Sequence, residues 1–201
     1  MKFSHANSRI IMFIMMELKE HNHRLDGQRV VLRPLTEGDW QVIVRWETDP
    51  EVIYWADSDP KETRTLEEVQ YIFRLVSQNA YCFVVEIENM PIGSCWLQRM
   101  NIEEILKKYP GSDCRRIDLA LRKDLWGQGF GTDVIHTLTQ FAFEHEKADI
   151  VFGGSGDYNE RSQRTFLKVG YHLVMKQGDP PPSKAQYTYW HAISRKDWVK
   201  K

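Results

Sequence analysis

The sequence predicts a single domain of mixed α/β class, and three stretches carry that expectation. CRRIDLALR (Cys114 to Arg122) sets Ile117, Leu119 and Leu121 against Asp118, Ala120 and Arg122, the two-residue period of a strand with two different faces. TLEEVQYIFRLV, from Thr65, puts Leu66, Val69, Ile72, Phe73 and Val76 on one face at helical spacing. Between the strand and the next apolar-periodic segment lies LWGQGFGT (Leu125 to Thr132), with three glycines in five positions. A chain of 201 residues with 42% hydrophobic side chains is long and apolar enough to bury one proper core, which excludes a disordered protein.

Taken from the N-terminus, RVVLRPL (Arg29 to Leu35) reads as a strand. TEGDWQVIVRWE follows as a helix with Thr36 or Asp39 as its cap, and a second helix runs from Thr65 to about Ser77. Tyr81 to Ile87 and Ile92 to Arg99, joined by ENMP, form an antiparallel hairpin. The polar insert NIEEILKKYPGSD holds a short helix and a loop before the strand at Cys114. After the glycines a helix extends to about His145, DIVFGGS is a strand, and NERSQRTFLKVGY is a helix closed by Gly170. YHLVMKQ and QYTYWHAIS are two last strands around a Pro-rich loop.

Glycine inside a helix costs about 1 kcal/mol relative to alanine, so a cluster at a helix entrance implies a backbone that something approaches closely. The first N–H groups of a helix lack partners and carry the positive end of its dipole, which suits a phosphate. An ordinary strand-to-helix turn accounts for the run equally well when it is taken alone.

The formal net charge of −1 gives no overall argument for a nucleic-acid partner. Cys82, Cys95 and Cys114 have neither C-x-x-C spacing nor a nearby His pair, so they read as reduced, packed thiols and no metal is expected. IIMFIMM (Ile10 to Met16) is too short to span a membrane and no small-residue cleavage site follows it, so a cytoplasmic protein without a membrane partner is expected. Residues 1–25 read as an N-terminal extension, with Met12, Met15 and Met16 as alternative starts, and 26–201 as the domain.

In element order and motif the stretch from Arg29 onward resembles the GNAT superfamily of N-acetyltransferases, which use acetyl-CoA to acetylate an amine. Trp126-Gly127-Gln128-Gly129-Phe130-Gly131 matches its phosphate-binding run, except that Trp126 replaces the usual Arg or Gln. Asn159, Ser162, Lys168, Gly170 and Tyr171 match a second pattern, in which Phe166 replaces a tyrosine thought to protonate the departing thiolate. The resemblance implies a mostly antiparallel sheet of about seven strands, splayed in the middle, with about four helices. It implies acetyl-CoA as cosubstrate. The pyrophosphate would lie on Gly127 to Thr132, the pantetheine arm along Leu119, Ala120 and Leu121, and further contacts would come from Trp126, Asn159, Ser162, Phe166 and Lys168.

An alkyl ammonium has a pKa of about 10.4, so the acceptor must lose a proton before it attacks. Asp118 is the first candidate base, because RRID resembles a stretch of aminoglycoside 6′-N-acetyltransferases where an aspartate faces the acceptor. Pairing with Arg116 or capping a loop are its alternatives. Glu86 is a second candidate, with a surface carboxylate as its alternative, and the Leu119 N–H is the family-like oxyanion donor. No general acid is assigned.

Glu37 to Glu68 holds ten acids against three basic residues, and in the family this region overlies the acceptor. With Asp57, an aromatic wall of Trp46, Tyr54 and Trp55 would suit a cationic substrate, although core packing explains such tryptophans as well. Tyr187, Tyr189 and Trp190 divide the same way. The arrangement is nearest the aminoglycoside branch, with its antibiotic-resistance chemistry. Protein N-termini, polyamines and siderophore precursors are alternative acceptors, and a non-catalytic CoA-binding regulatory module is the alternative of another class. Direct attack in a ternary complex, in a monomer or homodimer, completes the expectation.

Overall fold

The computed structural model describes residues 16–57 and 63–199. Strands β1 (Leu25–Asp26) and β2 (Val31–Pro34) precede helices α1 (Trp40–Glu47), α2 (Pro50–Ala56) and α3 (Leu66–Ser77). The hairpin of β3 (Ala80–Ile87) and β4 (Met90–Arg99) leads through α4 (Glu103–Lys108) to β5 (Cys114–Leu121). Then come α5 (Phe130–Glu144), β6 (Ile150–Gly156), α6 (Glu160–Val169), β7 (His172–Gly178), β8 (Tyr187–Ser194) and α7 (Arg195–Trp198). All eight strands form one sheet in the order β1-β2-β3-β4-β5-β6-β8-β7, and only β5 and β6 pair in parallel.

The expected alternation of β5 decides how the sheet is covered. Its odd-numbered residues Ile117 and Leu121 join Phe130, Val134, Leu138 and Phe166 in a core beneath α5 and α6. On the other face Ala120 packs with the core of Ile43, Trp46, Val52, Val69 and Phe73, contributed by α1, α2 and α3. Cys114 continues that second face into a smaller cluster with Ile105 of α4, Phe152 and Trp190.

Local signals account for the element ends. Thr65 caps α3, accepting from the Glu68 N–H while the Glu68 carboxylate accepts from the Thr65 N–H, a reciprocal box. The hairpin turn is tighter than ENMP: Glu88 and Asn89 alone carry positive φ, 50° and 63°, the conformation of a two-residue turn that matches strand twist. Gly170 ends α6 in the left-handed region as expected.

The described residues form eight strands and seven α-helices, four elements beyond the expected seven and four: the two-residue β1, the helix α2, the single-turn α7, and α4, the short helix expected in the polar insert. Helix α2 starts where the Asp49 side chain accepts from the Glu51 and Val52 N–H groups, with Pro50 at the first position.

Part of the expected N-terminal extension packs on the domain. Leu18 is buried beside Leu35 and Trp40, and the Lys19 N–H donates to Ser77 Oγ at 3.0 Å. The run from Ile10 to Met15 lies outside the described residues. The Asp133 carboxylate, in the first turn of α5, accepts from the N–H groups of Gln28, Arg29 and Val30 at 3.0, 2.7 and 3.1 Å. A carboxylate is favoured at that end of a helix, and here it fixes Arg29 beside the glycine loop.

Candidate active site

The β5–β6 ladder is short. It pairs Cys114 with Ile150 through to Ile117 with Gly153 and ends there, after which β5 pairs only with β4 and β6 only with β8. The sheet therefore opens in its middle along Asp118 to Leu121. The Arg122 N–H donates to the Ile92 carbonyl of the segment on the β4 side at 2.8 Å. Backbone direction alternates along a strand, so the N–H groups of Leu119 and Leu121 face the opening. The Leu121 carbonyl, on that same edge, accepts from Trp126 Nε1 at 2.9 Å.

The glycine loop lies at the wide end of this opening. Gly127 has φ +78° with nothing within 4 Å of where a Cβ would stand, and Gly129 has φ +89° as the N-cap of α5. No side chain caps α5, so its first N–H groups are left for an external acceptor. Two guanidinium groups flank them. Arg29 donates to the Gln128 carbonyl at 2.8 Å and lies 4.2 Å from the centroid of the Phe130 ring. Arg161 stacks 3.7 Å above Trp126 and 5.4 Å from Trp55, where burial lowers its pKa and only the charge of Glu51 opposes that. Trp126, which stands where the motif usually has Arg or Gln, thus carries a cation on its face. Nothing local in the sequence links Arg161 to Trp126, thirty-five positions away.

On the α1–α3 face, Asp118 accepts from Arg116 Nε at 2.8 Å and Nη2 at 3.2 Å, and Arg116 also reaches Asn101 at 3.1 Å. Its side chain keeps a third of its surface exposed, and Trp96 stands opposite it across the ladder. The Trp96 Nε1 is buried without a partner among the described residues. Trp46 is only 1% exposed and donates to Ser94 Oγ at 2.9 Å, so it belongs to the core and not to an aromatic wall. Ser94 in turn donates to Glu47, whose carboxyl pKa is raised by burial. Glu86 is likewise not a surface carboxylate. It is buried and accepts from Arg33 Nε at 2.7 Å, and that guanidinium also holds Asp39. Glu86 is committed to tying β2 to β3.

Tyr54 and Trp55 do come together, edge to face at 5.1 Å, with Tyr158 against both. Tyr158 Oη donates to the carbonyls of Tyr54 and Asp57, and Asn159 Nδ2 donates to that of Trp55 at 2.7 Å. The C-terminal end of α2 is thereby strapped across the opening to the loop after β6. Asp57 pairs with Arg64, which also approaches Glu47 at 3.6 Å. Asp59, Lys61 and Glu62 of the acidic stretch lie outside the described residues.

On the α5–α6 face, Asn159 Oδ1 accepts from the Ser162 N–H at 3.1 Å, so Asn159 both caps α6 and holds α2. Phe166 is buried over Gly153, and Lys168 is exposed on α6. Ser155 Oγ and His191 Nδ1 are buried without partners among the described residues. Tyr187 is exposed, whereas Trp190 is core. All three cysteines are free and buried, and burial pushes the Cys82 thiol up to about 12 and Cys114 to about 11. None of them is a nucleophile at neutral pH. The described residues hold no group of three metal-ligating side chains, and no described helix is long and apolar enough to cross a membrane.

Residues 29–172 match the family model described as acetyltransferase (GNAT) domain. Among solved structures, a GNAT-family acetyltransferase from Bacillus anthracis is similar with a TM-score of 0.71 at 16% identity, over 87% of this chain and 99% of that one. AAC(6')-Ib in complex with ribostamycin and coenzyme A gives 0.73 at 17%, over 87% and 98%. Spermidine N-acetyltransferase from Vibrio cholerae, in complex with CoA and spermine, gives 0.69 at 14%, over 85% and 98%.

Proposed function

Because the chain belongs to the GNAT acetyltransferase family, we propose that it acetylates the amine of a cationic small molecule from acetyl-CoA by direct attack in a ternary complex. One observation carries the reading. Asp118 and Leu119 are consecutive residues at the point where the sheet opens, so a carboxylate on the acceptor face adjoins an N–H that faces the gap.

The left-handed glycines and open helix N-terminus fit a pyrophosphate, with Arg161 beside them as a counter-charge. Acetyl-CoA, when bound, supplies an activated thioester. The Leu119 N–H polarises its carbonyl oxygen, and Asp118 takes the proton that makes the amine a nucleophile. Arg116 holds that carboxylate in place through two hydrogen bonds. With three buried, high-pKa thiols, no covalent acyl-enzyme is expected. Free thiols also suit a reducing, cytoplasmic setting.

An aminoglycoside is the first acceptor to try. Two similar structures carry an aminoglycoside and a polyamine, both polycations. The test follows free thiol released from acetyl-CoA while aminoglycosides, polyamines, hydroxylamines and short peptides are presented in turn. Turnover with an amine establishes the reading. Tight acetyl-CoA binding with no acceptor would favour a regulatory CoA-binding module.

Arg161→Gln is expected to weaken CoA binding about tenfold, the worth of one charge-assisted contact to phosphate. Calorimetry should also show a shallower salt dependence, since one screened charge pair is lost. An unchanged affinity would remove Arg161 from the phosphate site.

A further inference from the structure

Ser155 is 8% exposed and His191 3% exposed, yet Ser155 Oγ and His191 Nδ1 have no hydrogen-bond partner among the described residues. Both lie on one face of the sheet. Gly153 pairs with His191 and Ser155 with Tyr189, and side chains alternate along a strand, so Ser155 shares the face of Gly153, where the Phe166 ring lies. The His191 ring stacks on that of Phe166, with centroids 6.2 Å apart and planes 9° from parallel. Burial lowers the pKa of His191, which keeps this region uncharged. A buried hydroxyl left unpaired costs stability, so its retention calls for an occasional partner.

The register says where that partner would lie. Ile117 is the last residue of β5 paired with β6, and it faces Gly153. Continued two residues into the opening, the same register sets Leu119 opposite Ser155, with the strands drawn apart between them. The polar hydroxyl and the free N–H thus flank one gap, and the group above it is Phe166, which has no proton to give.

We propose that Ser155 is a catalytic residue of the transfer, its hydroxyl donating a hydrogen bond to the thioester sulfur as the C–S bond breaks. The inference rests on the acetyltransferase reading above. The attacking nitrogen forms the new C–N bond, the C–S electron pair stays on sulfur, and the amine proton goes to Asp118 and then to solvent. Ser155 keeps its own proton, because a hydroxyl is a far weaker acid than a thiol of pKa about 8.5. Its contribution is to stabilise the departing thiolate, which solvent then protonates. A charge-assisted hydrogen bond suffices for that.

The test reads the thiol of enzyme-bound CoA by its thiolate absorbance against pH. The protein's own thiols titrate at about 11 and higher, above the useful range. Ser155→Ala should raise the pKa of bound CoA by about one unit, a tenfold change. It should lower kcat by about tenfold with the KM for acetyl-CoA unchanged, while Ser155→Thr, which keeps the hydroxyl, stays near wild type. Thermal unfolding should show Ser155→Ala no less stable than wild type, since the hydroxyl it removes has no partner to lose. Equal CoA pKa values in wild type and Ser155→Ala would overturn the proposal while leaving the acetyltransferase reading intact. Failure of the wild type to bind CoA would overturn both.

Discussion

Asp118→Asn is expected to lower kcat by about a hundredfold or more and to leave acetyl-CoA affinity unchanged. General base catalysis contributes about 10²–10⁴-fold where a positioned group takes the proton. Asparagine keeps the size and planarity of the carboxylate but cannot accept a proton, so the geometry of the site survives and its chemistry does not. Arg116 loses an ion partner yet keeps Asn101 at 3.1 Å, which limits any collapse of the strand end. On the proposed reading acetyl-CoA affinity rests on the glycine loop and Arg161, which lie outside the strand that carries Asp118. Steady-state kinetics with an acceptor, alongside calorimetry with CoA, separates the two. A variant with full kcat would show that Asp118 only answers Arg116, the plain ion-pair role its sequence position also allowed.

Gly153→Ala is expected to destabilise the fold by about 3 kcal/mol, at the upper end for overpacking a filled core. A Cβ at residue 153 would stand 2.0 Å from Phe166 Cζ and 2.1 Å from Cε1, distances at which the ring must move. The ring has little room to do so. Phe166 is 4% exposed, Tyr171 lies 5.2 Å from it, and the Tyr171 hydroxyl is itself fixed to Thr139 at 2.6 Å. Urea unfolding of Gly153→Ala, Phe166→Leu and the double variant forms a cycle, and coupling between the two sites should return much of the loss in the double variant. Additive effects would mean that the ring does not rest on the glycine.

The split between what the residues announce and what they conceal follows the range of the interaction. Strand β5 and helix α3 are plain from periodicity, because that signal is local. Helix α2 had its signal in Asp49 and Pro50, but WETDPEVIYWADSD also reads as an aromatic and acidic surface, and seven residues are too few for periodicity to overrule that. Trp46 shows the limit of residue type. Only the fold reveals that its indole N–H is spent on Ser94, forty-eight positions away. Glu86 is concealed for the same reason, since Arg33 reaches it from a neighbouring strand. The glycine loop was legible as a helix entrance, whereas the Arg161 stack on Trp126 joins residues that no pattern along the chain connects.

A strand tied along one edge and open along the other meets water unevenly. Arg122 is tied toward β4, and by alternation so are Asp118 and Ala120, while the amides of Leu119 and Leu121 face the opening. In heavy water the odd-numbered amides of this short stretch would take up deuterium ahead of the even-numbered ones. An extended arm lying in the opening as a ninth strand would slow the odd set and leave the even set as it was. Binding would then be written in the chain as parity.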